Sequence, residues 1–267
     1  MTIFRRFFKD KRRWILWWSV GTAGFVLLSI AFYPAFKEIG QFDEQLKNAP
    51  EGIRAMLGGQ GGISLVSQAG FLHSQVFAQA LPILLVIFAT GLGSRAIAGA
   101  EGDGTLELLL ANPVTRRRVA LERYATIVVQ TVALGVVATS VVVAFSPLFE
   151  LGGIPVGNVV GAGVAAICFG IVHASVAFAS GAMTGKRGMA IATSASVAVG
   201  GFVLFGLVSG GVVEPLRFLS PWWWYVSRNV VALGMPPEAV WAPLSVSAVL
   251  VAASVVVFER RDLRGGD

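Results

Sequence analysis

The chain has 267 residues, 55% of them hydrophobic and only 13% charged, with a formal net charge of +6. Soluble domains carry about 25% charged residues, so too little polar surface exists here to cover a water-soluble globule. A mean hydropathy of +0.73 and recurring apolar runs of about twenty residues predict an all-α, polytopic membrane protein with six spans. The single cysteine, Cys168, excludes an internal disulfide.

The chain opens on a basic amphipathic stretch over residues 1–13. Ile3, Phe4, Phe7 and Phe8 form an apolar side, ringed by Arg5, Arg6, Lys9, Arg12 and Arg13, which predicts a helix lying in the cytoplasmic interface. The apolar run that follows is too long for a signal peptide and lacks a small-residue cleavage site, so it reads as a retained helix. This first span covers 14–33, with Trp14, Trp17 and Trp18 as an aromatic belt and Pro34 at its end. Residues 34–75 are polar and of mixed charge, and form an extracytoplasmic segment. Within it Pro50 to Leu57 predicts a short helix stopped by Gly58-Gly59. The second span covers 76–98, with Pro82 placed to kink it.

Residues 99–118 break the pattern, because the stretch AEGDGTLELLLANPVTRRR is polar at both ends and apolar in the middle. Asp103 is positioned to cap a short helix, on which Leu106, Leu109 and Leu110 fall at i, i+3, i+4 spacing. Asn112-Pro113 stops it, since the residue before a proline is driven out of the α region. Thr115 then caps the next helix. The helix is too short to span a bilayer and too apolar for a free loop, so it needs a surface to lie on, whether lipid or protein.

Glu101, Gly104-Thr105-Leu106-Glu107, Leu109-Leu110, Pro113 and Arg116 resemble the signature of ABC-2-type permeases, the membrane subunits of ATP-binding-cassette transporters whose ATPase is a separate polypeptide. In that family the segment is the coupling helix that docks into the ATPase. One departure stands out: Gly102 interrupts the acidic run that precedes the Gly-Thr pair. The resemblance implies two permease subunits, a second copy or a paralogue, working with two ATPases. It implies that Glu101 and Glu107 pair with basic residues of the ATPase, that Leu106, Leu109 and Leu110 fill its groove, and that Pro113 fixes the exit angle. It also places the N-terminal helix beside the ATPase.

The third span covers 119–146 and ends at Ser146-Pro147. The fourth covers 155–183, where Gly161, Gly163, Gly170, Ala174, Ala179 and Gly181 allow close helix contact. A tight turn, Gly185-Lys186-Arg187-Gly188, leads to the fifth span, 189–209. In the extracytoplasmic segment 210–236, Ser220-Pro221 starts a short helix carrying Trp222, Trp223, Trp224 and Tyr225. Four aromatics in a row suit an interfacial anchor or a re-entrant turn shielded by protein, and the anchor is the simpler expectation. The sixth span covers 237–258, followed by the tail 259–267.

Six spans return both termini to one side. Sixteen of the 21 lysines and arginines fall on that side, which the positive-inside rule assigns to the cytoplasm of a cell-membrane protein. The basic balance is therefore topological and faces anionic lipid, with no reason to invoke nucleic acid. The spans hold almost no ionisable groups: only His173 sits deep in one, with Gln130 a polar neighbour. A lone histidine there reads as a hydrogen-bonded packing residue. Ion-coupled carriers keep a charge at membrane depth, and this chain has none. No phosphate loop, metal cluster or nucleophile elbow is present. The chain is thus expected to be no enzyme and to hold no cofactor, with ATP and magnesium on the partner ATPase. The resulting expectation is a permease subunit driving ATP-dependent transport, with apolar walls that favour export of an amphipathic or drug-like cargo. The alternatives are a stand-alone secondary carrier and a membrane scaffold protein.

Overall fold

The computed structural model describes residues 12–38, 48–59 and 62–262. The expected interfacial helix over 1–13 therefore lies almost wholly outside the described residues, as do 39–47 and the end of the tail. Among the described residues the secondary structure is helical throughout, with no strand. Six helical segments are long and apolar enough to cross a membrane.

The first is α1 (Arg12–Ala31). A short helix, α2 (Glu51–Met56), follows, with Pro50 before its first turn. The second long segment, α3 (Gln68–Gly102), begins at Gln68 rather than near residue 76. Then come α4 (Thr105–Leu110), α5 (Arg116–Phe145), α6 (Val156–Thr184) and α7 (Arg187–Ser209). Two short helices, α8 (Pro221–Val226) and α9 (Val230–Leu233), precede α10 (Glu238–Arg260).

Helix α6 is the hub: it packs along α3, α5, α7 and α10. Small residues make that possible, because transmembrane helices associate by close packing rather than by the hydrophobic effect. A Cβ added at Gly93 of α3 lies 2.6 Å from the Ala174 carbonyl oxygen and 2.9 Å from the Ala177 Cβ of α6. Gly163 likewise sits against Thr139 of α5, and Gly135 of α5 against Ile167. Helix α1 is peripheral and lies mainly on α5. Its Trp17, Val20, Phe25 and Leu28 face outward, as a lipid-facing helix requires.

Pro82 does not simply bend α3. The nine residues before Leu81, Leu72–Ala80, are π-helical, and the Leu81 N–H reaches back to the Val76 carbonyl. The next N–H in that i→i+5 pattern belongs to Pro82 and does not exist, which strands the Phe77 carbonyl. The Tyr225 hydroxyl donates to that carbonyl.

Helix α8 is therefore not a surface anchor. Trp222, Trp224 and Tyr225 are buried between α6, α7 and α10. The Trp222 indole donates to the Ala198 carbonyl at 2.9 Å, and Ser220 caps the helix by accepting from the Trp223 N–H. The ring of Phe169 stacks on Tyr225, 5.1 Å away, and meets Trp222 edge-on. The run is shielded by protein: the Trp222 and Trp224 indoles and the Tyr225 hydroxyl each donate to a carbonyl.

His173 is buried, with Nδ1 against the Phe169 carbonyl at 2.9 Å, and acts as a packing residue. At the end away from the Lys186-Arg187 turn, Lys37 pairs with Glu150, and Gln68 ties to both the Glu150 carbonyl and the Gly153 N–H. The Glu150 carboxylate holds the Lys37 ammonium above its ordinary pKa of 10.5.

Candidate functional site

The segment between α3 and α5 is built by its signature residues. Helix α3 ends at Gly102, and Gly104 takes a left-handed conformation (φ +68) that reverses the chain. Only glycine enters that region without strain. Thr105 closes the turn by donating its hydroxyl to the Ala100 carbonyl, 3.1 Å away. Asp103 does not cap α4: the left-handed Gly104 is the cap residue, and it offers no side-chain acceptor. The last turn closes on Asn112, whose side-chain amide donates to the Leu108 and Leu109 carbonyls at 3.1 and 3.3 Å. Pro113 follows, exposed. Thr115 caps α5 by accepting from the Arg118 N–H.

The leucine face packs into this chain's own bundle. Leu106 is fully buried, and Leu109 and Leu110 are half-buried against the same core. This chain's own bundle supplies the apolar surface that an i, i+3, i+4 stripe seeks. On a helix two residues' advance turns roughly 200°, so Leu108 emerges on the opposite side and is 73% exposed. Thr105, Glu107, Ala111 and Asn112 are exposed with it. The outward side of α4 is thus a lone leucine beside an acid and small polar groups. Leu108 was missed because periodicity marks the buried face and is silent on the other.

Glu101 is also turned inward. Its side chain is 3% exposed and pairs with Arg261, beyond the end of α10. Arg116 is half-buried and donates to backbone carbonyls at that same end, to Phe258 at 3.4 Å and to Arg261. Of the nine signature residues, Glu101 and Arg116 meet at the C-terminus of α10. Gly104 and Thr105 shape the turn, and the leucines seat the helix. Glu107 and Pro113 remain outward. Arg261 carried no distinguishing signal, since a cation just past the end of a span reads as topology.

Close by, the buried Arg123 of α5 donates to the Ala96 carbonyl within a second π-helical stretch, Arg95–Gly99. Arg118 pairs with Glu122 one turn on, at 2.8 Å. Among the described residues no three His, Cys, Asp or Glu side chains come together as a metal site.

The family model described as "ABC-2 family transporter protein" matches residues 1–263. No curated protein matches the chain. Nearly the whole length is covered by that one model, and six apolar helices of spanning length carry it. The chain belongs to the ABC-2 family of transporter proteins and is a multi-pass membrane permease.

Proposed function

We propose that this permease forms one half of the translocation path of an ATP-driven exporter and docks a separate ATPase through the outward side of α4. The observation that carries the reading is the split of α4: Leu106 locks it into the bundle while Glu107 and Leu108 stand clear of it. A short helix seated that firmly, yet presenting a leucine and an acid outward, is built to pass force from a neighbour. In this reading the α4 end of the bundle is cytoplasmic, where the Arg117, Arg118, Lys186 and Arg187 side chains are exposed. ATP and magnesium belong to the ATPase, which engages a pair of permeases, one per docking site. The cargo is amphipathic, matching the apolar outer faces of the spans.

The test is co-purification with a candidate ATP-binding-cassette ATPase subunit, co-expressed with the permease. Leu108→Asp and Glu107→Lys each weaken the complex about tenfold or more, as the loss of a central contact does. Arg117→Ala, on the neighbouring exposed surface, serves as the control. Undiminished binding by both docking variants would sink the reading.

A further inference from the structure

Both flanks of α4 are fastened to the C-terminal end of α10. On one flank Glu101, three residues before Gly104, is buried in its ion pair with Arg261. On the other, Arg116 opens α5 and donates to the Phe258 and Arg261 carbonyls. Those are carbonyls that a helix end leaves without intrahelical partners, and a cation there also complements the helix dipole. The Arg116 guanidinium lies 6.0 Å from the centre of the Phe258 ring.

A fourth element completes the cluster. Gly185 closes α6 in a left-handed conformation (φ +67). A Cβ there would sit 2.9 and 3.0 Å from the two Glu101 carboxylate oxygens and would collide with the Arg261 guanidinium. The backbone favours glycine at this position, and a side chain here would have to displace the Glu101 and Arg261 side-chain ends.

A buried ion pair is poor stabilisation, because desolvation offsets most of the attraction. Its best-attested use is to fix one arrangement among several. Here it joins residues 160 apart in sequence, on elements with no covalent link between them.

We infer that the Glu101–Arg261 pair, with Arg116, is the transmission link that makes α10 move with α4. Without it, α10 feels a push on α4 only indirectly, through side-by-side packing on α5 and on the hub α6. With it, the push reaches α10 directly at the end nearest α4, so that α10 and the hub packed along it move together with α3 and α5. Glu101 is then a positioning residue that acts inside the chain, rather than a contact to the ATPase. The inference rests on the docking reading for the origin of the force, while the link itself is a property of this chain alone.

The experiment measures the distance between spin labels at Asp103→Cys and Glu259→Cys, both exposed, in a Cys168→Ala background in nanodiscs. It is run with and without the ATPase that co-purifies with the permease, and with and without Mg-ATP. In the parent the distribution is narrow and stays unchanged when ATP is added, because the two elements travel together. In Glu101→Gln, Arg261→Ala and Gly185→Ala it broadens, and it shifts with ATP as α10 lags. Arg261→Lys, which keeps the charge, restores the parent behaviour. Gly185→Ala disturbs the pair without changing either charge, so it separates the link from a general charge effect. An Arg261→Ala distribution as narrow as the parent's, and equally unresponsive to ATP, overturns the proposal. Undiminished ATPase binding by Leu108→Asp and Glu107→Lys overturns the docking reading instead, and is seen separately in the co-purification.

Discussion

Tyr225 and Phe77 meet because Pro82 has no N–H to give. The π-helical turn ahead of Pro82 leaves the Phe77 carbonyl without a backbone donor, and the Tyr225 hydroxyl takes that place from 148 residues away. A buried carbonyl stripped of its partner costs about 1–3 kcal/mol. Tyr225→Phe is therefore expected to destabilise the protein by that amount, read as a lower thermal midpoint in detergent, while Tyr33→Phe, whose contact is longer and only partly buried, changes it little. At the same scale the Gly104-Thr105 pair has a plain physical cause. The glycine turns the chain left-handed and the threonine fastens the turn to Ala100. Both residues stood out in the sequence, but the hydrogen bond that explains the threonine did not. Its acceptor is a backbone atom, and no sequence pattern marks one carbonyl over another.

Among the elements, α6 sets the spacing of the bundle. Gly93 lets α3 approach the Ala174 carbonyl so closely that any side chain must push the helices apart. Gly93→Leu is expected to cost ~3 kcal/mol or more, seen as loss of monodisperse protein or a sharply lowered thermal midpoint. Gly91→Leu, with open space around its position, is tolerated. The richness of α6 in small residues was legible, because glycine and alanine at short spacing announce close contact. Which partner helix each one meets was not, since that depends on how four neighbours divide its circumference. Helix α8 shows the same boundary. An aromatic run is composed alike whether it anchors at an interface or folds back into protein, and only its indole and hydroxyl partners tell the two apart.

For the molecule as a whole, the ends of α3, α6 and α10 and the starts of α5 and α7 gather on one side with α4, around Glu101, Arg116, Gly185 and Arg261. The orientation argued from the arginine count is open to a direct check. In a Cys168→Ala background, an impermeant maleimide applied to intact cells is expected to label Val212→Cys and Leu148→Cys but not Asp103→Cys, all at exposed positions. The reverse pattern would show the bundle inserted the other way. The sequence by itself determined the class, the six spans, the stop after α4 with its Thr115 cap on α5, and the family resemblance. These follow from composition, from helical period and from backbone rules that act over a few residues. The tertiary structure alone decided which way α4 faces and where Glu101 finds its charge. A helix has one apolar stripe and does not say whose surface will cover it. A carboxylate does not say whether its cation lies in a partner or 160 residues further along the same chain.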